Sequence, residues 1–161
     1  MPDGLTFVYD RTESDVQRAQ FLRARKWDEL SAGERAEWAG GLKGSYNAGD
    51  LTRVDGNTAI IAQAVLAASL PVSVTGTKTW NMVDIPARIQ MERIRQNVLA
   101  LRNALPMPAS LPAVPATLEQ MTFTKANDIE RILWMVNLLI DSIPKNMRYV
   151  NTFQVGGGTL C

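Results

Sequence analysis

The chain has 161 residues, 46% apolar and 20% charged, a balance that suits one folded domain and favours a globule over a disordered chain. Seventeen basic residues stand against 16 acidic ones, so a net charge of +1 makes no case for nucleic acid or an anionic membrane as partner. There is no histidine and the single cysteine is Cys161, which removes the commonest general base, an internal disulfide and a cysteine cluster for zinc. No cofactor or metal is expected.

The N-terminal MPDGLTFVYDR has no basic stretch followed by a long apolar run, so it does not read as a signal peptide. The apolar stretches Ala59–Leu70 and Ile132–Ile140 are too short or too interrupted to span a bilayer.

Leu5–Tyr9 (LTFVY) is a short β-type run. The next stretch reads as a helix capped by Thr12 or Ser14, with Glu13 and Asp15 suiting its dipole. Ser31 and Glu34 form a capping box for a short helix through Trp38, ended by Gly40-Gly41. Trp27, Leu30 and Trp38 are then neighbours. Lys43-Gly44 lacks the spacing of a phosphate-binding loop and reads as a turn before a helix capped by Asn47 or Asp50.

That helix carries Leu51, Val54, Thr58, Ile61, Val65 and Ala68 at alternating steps of three and four, the spacing of a buried seam. Gly56 interrupts it, which suggests close approach of another backbone, and Pro71 stops it. Residues 72–80 (VSVTGTKTW) alternate and read as an edge strand or tight hairpin. Asp84-Ile-Pro86 opens a helix with the seam Met91, Ile94, Val98, Leu101 and Leu105.

Residues 106–116 hold four prolines and form an extended connector. Thr124 caps a last helix with the seam Ile129, Ile132, Val136, Leu139 and Ile143, ended by Pro144. Leu133, Trp134, Leu138 and Ile140 widen its apolar arc beyond what one thin bundle buries. Tyr149–Val155 alternates and reads as a strand. The expected fold is mainly α: a helical bundle of three to five helices, with short β strands near both termini and around 72–80. It forms a single helical domain over 1–161, with an extended C-terminal tail over 145–161.

No catalytic constellation appears. Glu34 serves its capping box, and Asp128 and Glu130 lie near a helix start where the dipole accounts for them. No GxSxG or SxxK motif occurs. The chain therefore does not read as an enzyme. Candidate interface residues are Trp134, Leu138, Tyr149, Phe153 and Val155. Trp27, Trp38, Tyr46 and Trp80 are candidate aromatics for a ligand such as a glycan, although such residues are more often core or interface anchors.

In order, YDRT, DV, KW..L...E...W and GLKG.YN..DL.RV, from Tyr9 to Val54, resemble a small module of bacteriophage and prophage proteins of Gram-positive hosts. The resemblance continues through Lys78-Thr79-Trp80, Asp84-Ile-Pro86, the helix Met91–Leu101 and residues 111–133, up to about residue 143. The ending YVNTFQVGGGTLC departs from the module. The resemblance implies a virion structural part of tail-fibre, baseplate or related kind, made in the bacterial cytoplasm and located in the virion. Together with the broad apolar helix Lys125–Ile143 and the β-type termini, it points to a homo-oligomer that also contacts other virion proteins. The alternative it leaves open is a host-surface glycan-binding attachment module. It carries over no catalytic residue.

Overall fold

The computed structural model describes residues 4–150, with side chains described as far as residue 143. Five α-helices follow one another: α1 (Glu13–Arg23), α2 (Ala32–Ala39), α3 (Ala48–Ala67), α4 (Arg88–Asn103) and α5 (Phe123–Val150). A single 3-10 turn, Trp27–Glu29, precedes α2. The helical class expected from the sequence is what the chain adopts.

The helix starts follow local chemistry. Thr12 caps α1 and accepts from the Asp15 amide, while the Asp15 carboxylate accepts from the Thr12 amide. Ser31 with Glu34 does the same for α2, and Asn47 with Asp50 for α3. α3 closes before Pro71. Ser69 adopts the left-handed conformation at φ +62°, so the Leu70 amide reaches the Val65 carbonyl and the Ser69 amide that of Leu66.

Three boundaries differ from expectation. α4 begins at Arg88, because Asp84 accepts from the Asn81 amide and closes a separate turn. α5 begins at Phe123, where the Thr122 hydroxyl accepts from the Lys125 amide, in place of a Thr124 cap. Pro144 does not end α5, which runs to Val150. A proline removes one backbone donor, and the helix formers around it sustain the remaining turns. Tyr149 is thus helical and not in a strand. The rest of the predicted strand, 151–155, lies outside the described residues, as do Phe153 and Val155.

No strand is present among the described residues, so the β strands expected at 5–9 and 72–80 are corrected. Both runs are extended, but their backbone partners are helix side chains. Asn57 Nδ2 donates to the Thr6 carbonyl at 2.7 Å, and Glu130 Oε2 accepts from the Val8 amide at 2.7 Å. Asn127 both accepts from the Arg11 amide and donates to its carbonyl. Along 72–80, Asn97 treats both backbone groups of Thr75 in the same way, and Thr52 those of Trp80. A buried backbone group needs a partner, and helix-borne amides and hydroxyls satisfy that need without a neighbouring strand.

These bonds fix the topology. Residue 6 lies against Asn57 and residue 11 against Asp50; on α5, residue 8 meets Glu130 and residue 11 meets Asn127. The first strap therefore runs antiparallel to both α3 and α5. Thr75 meets Asn97, while Lys78 and Trp80 reach Asp55 and Thr52, so the second strap runs antiparallel to α3 and α4. The Pro-rich return places the Pro112 carbonyl on Arg102 and Glu119 on Arg88. Hence α3, α4 and α5 are parallel, and each crossing back is an extended segment.

The three seams meet in one core. Val54, Ile61 and Val65 of α3, Ile94, Val98 and Leu101 of α4, and Ile129, Ile132, Leu133 and Val136 of α5 are buried there. Trp80, Leu111 and Leu118 from the straps close it. α1 and α2 cover a second, smaller core of Ala19, Leu22, Leu30 and Leu42, with Trp38 packed against it.

Two glycines have opposite roles. A Cβ on Gly44 would lie 2.0 Å from the Asp15 carbonyl oxygen, so α1 sits directly on the loop before α3 because Gly44 has no side chain. A Cβ on Gly56 would meet nothing within 4 Å, which corrects the expected backbone approach there. Gly44→Ala should destabilise by about 1–3 kcal/mol in urea unfolding, through overpacking against backbone. Gly56→Ala should stabilise by about 0.5–1 kcal/mol, since helical glycine has excess backbone entropy to lose. Equal signs for the two would contradict the placement of α1.

Candidate functional site

Polar residues at the N-terminal end of the bundle form two ion-paired clusters. In the first, Arg11 Nη2 bonds Asp50 Oδ1 at 2.8 Å and Glu130 Oε1 at 3.1 Å. Arg53 reaches the same two carboxylates, with Nη2 to Glu130 Oε1 at 2.6 Å and Nε to Oε2 at 3.0 Å. Arg11 Nη1 also donates to the Val8 carbonyl. Glu130 is fully buried and Arg11 nearly so. Glu130 is therefore not a dipole residue on an exposed first turn: it is a buried anion held by two guanidinium groups. Burial works against the charge on Arg53, yet its bonds to Glu130 and Asp50 raise its pKa above the ordinary guanidinium value. Two cations and two anions leave the cluster neutral.

The second cluster centres on the buried Asp55. Arg93 grips it with two bonds, at 2.9 and 2.7 Å, and the Trp80 indole donates to Oδ2 at 2.8 Å. Lys78 Nζ lies 4.2 Å from the Trp80 ring centroid. Both clusters bind an extended strap to a helix. Their charges are matched within the chain, and the bonds hold the straps in place on the helices. Among the described residues no group of three His, Cys, Asp or Glu side chains could hold a metal ion, and no helix is long and apolar enough to cross a membrane.

Above this frame, the start of α3, the start of α4 and the segment leading into α5 enclose a cleft of about 700 Å³. Tyr46, Leu51, Met82, Met91, Leu118 and Met121 line it. Its outer lip is the stretch before and into α4, where Met82, Val83, Ile85 and Ile89 are 87%, 88%, 89% and 78% exposed. Scattered surface apolar residues are ordinary, but four large ones within eight positions, beside an apolar cleft, form a surface suited to contact. Of the charged groups nearby, Arg88 pairs with Glu119 at 2.6 Å and Lys78 with Asp84 at 3.3 Å, and the exposed Arg23 also lines the cleft.

The residues singled out in the sequence are dispersed. Trp134 is half-buried, its ring tilted against Tyr9 with centroids 5.5 Å apart. Leu138, one turn further along α5, is exposed. The side chain of Tyr149, and Phe153 and Val155 altogether, lie outside the described residues. Trp80 is only 4% exposed and is held by Asp55, so its ring cannot stack on a ligand. Trp38 packs on the smaller core, and the Tyr46 ring packs on the main core with its hydroxyl buried. Trp27 is exposed, beside Arg35. The four aromatics form no common platform. The exposed run 82–89 was missed because residues 84–86 read as a helix opening, whereas the helix starts at Arg88 and leaves the preceding apolar residues outside it.

Comparison of the chain with protein-family models, curated proteins and solved structures returns no match.

Glu130→Gln would leave the buried Arg11 and the half-buried Arg53 sharing the carboxylate of Asp50. The expected loss is about 3–5 kcal/mol in chemical unfolding; a loss below about 1 kcal/mol would show that the cluster does not hold the first strap. The Tyr46 hydroxyl is buried without a partner, and burial first, then the charges of Glu130 and Asp50, push its pKa up from the ordinary 10.0. The folded state thus holds this proton more tightly than the unfolded state. Tyr46 should not affect the pH dependence below 10.0, and above it stability should fall as the unfolded state alone ionises. Tyr46→Phe should remove that alkaline loss and be neutral or stabilising at pH 7, as read by thermal unfolding across pH.

Proposed function

We propose that this chain is a non-enzymatic phage structural protein that oligomerises or docks in a virion assembly of tail-fibre, baseplate or similar kind. The observation that carries the assembly part is the exposed apolar lip Met82, Val83, Ile85 and Ile89 beside its cleft. Such a surface is costly to leave in water and gains by being covered. The pairing of Arg88 with Glu119 and of Lys78 with Asp84 at the rim of the cleft supports a contact role over a chemical one. The phage part rests on the ordered resemblance through Tyr9–Val54 and beyond. Among the aromatics named for the glycan alternative, Trp27 alone presents an exposed ring.

The test is the content of purified virions from the phage that encodes the chain. An antibody to the chain should decorate the particles at a fixed site. The double variant Met82→Lys, Ile85→Lys should remain folded, since both side chains are exposed, and should be incorporated at least tenfold less. Particles that lack the wild-type chain would overturn the reading.

A further inference from the structure

We infer that the cleft at the N-terminal end of the bundle receives the stretch Asn151–Val155 of a second copy, through Phe153 and Val155, giving head-to-tail assembly. This deepens the assembly reading and rests on it. The first ground is chemical. The cleft is walled by Leu51, Met82, Met91, Leu118 and Met121, and flexible thioethers adapt to an inserted apolar side chain. Arg88 and Asp84 at its edge are paired and Arg23, which also lines it, is exposed to water, so an uncharged occupant enters without breaking an ion pair. Residues 151–160, NTFQVGGGTL, carry no charged side chain and include Phe153 and Val155.

The second ground is distance. Met121 lines the cleft two residues before α5 begins, and α5 then runs through 28 residues away from it. At about 1.5 Å per residue the helix places Val150 about 40 Å from the cleft. Five extended residues beyond Val150 reach at most about 17 Å. Phe153 and Val155 therefore cannot fill the cleft of their own molecule, and any such contact is between copies.

The third ground is polarity. α3, α4 and α5 are parallel, so the acceptor cleft and the donor stretch belong to opposite ends of the molecule. A contact between unlike surfaces is heterologous and repeats from copy to copy, closing into a ring or continuing as a filament.

The full chain tests this by light scattering and sedimentation, with two variants. The acceptor variant is Met82→Lys, Ile85→Lys; the donor variant is Phe153→Ser, Val155→Ser. Circular dichroism first shows that both retain the helical content of the wild type. Wild-type molar mass should rise with concentration, whereas each variant alone should stay monomeric at concentrations at least tenfold higher. Mixed in equal amounts, the variants retain one intact cleft and one intact donor between them, and should form a dimer that grows no further. A mixture that stays monomeric, a donor variant that assembles like wild type, or a monomeric wild type would each overturn the inference. If the chain is nonetheless present in virions, the assembly reading stands and the cleft takes a different occupant. If it is missing there, that reading falls independently.

Discussion

A carboxylate without access to water must be matched where it lies, and Glu130 is matched by three residues from two separate pieces of chain. It accepts from the Val8 amide of the first strap, from Arg11 at the end of that strap, and from Arg53 of α3. This one group on α5 therefore sets how the strap, α3 and α5 lie against one another. Buried ion pairs add little net stability compared with apolar packing, because desolvation offsets the attraction. Their effect here is on arrangement: a strap shifted by one residue would leave a charge unpaired in the interior. Asp55 does the same for α3, α4 and the second strap through Arg93, Trp80 and the Lys78 amide.

The rest of the architecture follows from these fixed points. Parallel helices need a long return between each pair, and an extended return exposes backbone groups that require partners. Asn57, Asn97, Thr52 and Asn127 supply them, each from within or beside a helical seam. The result has the topology of helices alternating with strands while containing no ladder among the described residues. Parallel packing also gives the molecule two unlike ends, one with the cleft and its apolar lip, the other leading out along α5.

Much of this was legible in the sequence. The steps of three and four that mark Leu51–Val65, Met91–Leu101 and Ile129–Val136 are a direct consequence of burying one helix face, and those residues form the core. Thr12, Ser31 and Asn47 were readable as caps because capping is local. The β-type runs at 5–9 and 72–80 were read correctly as extended and wrongly as strands, since alternation reports conformation and not the partner. A signal for the true partner was present. Asp50, Asn57, Asn97 and Glu130 fall in phase with buried apolar neighbours, and a polar residue on a core face must have a specific bond awaiting it. The lip at 82–89 was hidden for a different reason: exposure of apolar residues depends on where a helix begins, and helix boundaries are poorly fixed by local sequence.

The measurement that bears most directly on this picture is amide hydrogen exchange of the full chain, as monomer and as assembled species. Helix side chains standing in for a β partner should protect the amides of Val8, Arg11, Thr75, Lys78 and Trp80 in both states, to a level near that of the bundle core. Backbone around Met82–Ile85 should gain protection only on assembly. Rapid exchange at the five strap amides would contradict the structural account, and unchanged exchange across the lip would contradict its role as a contact surface.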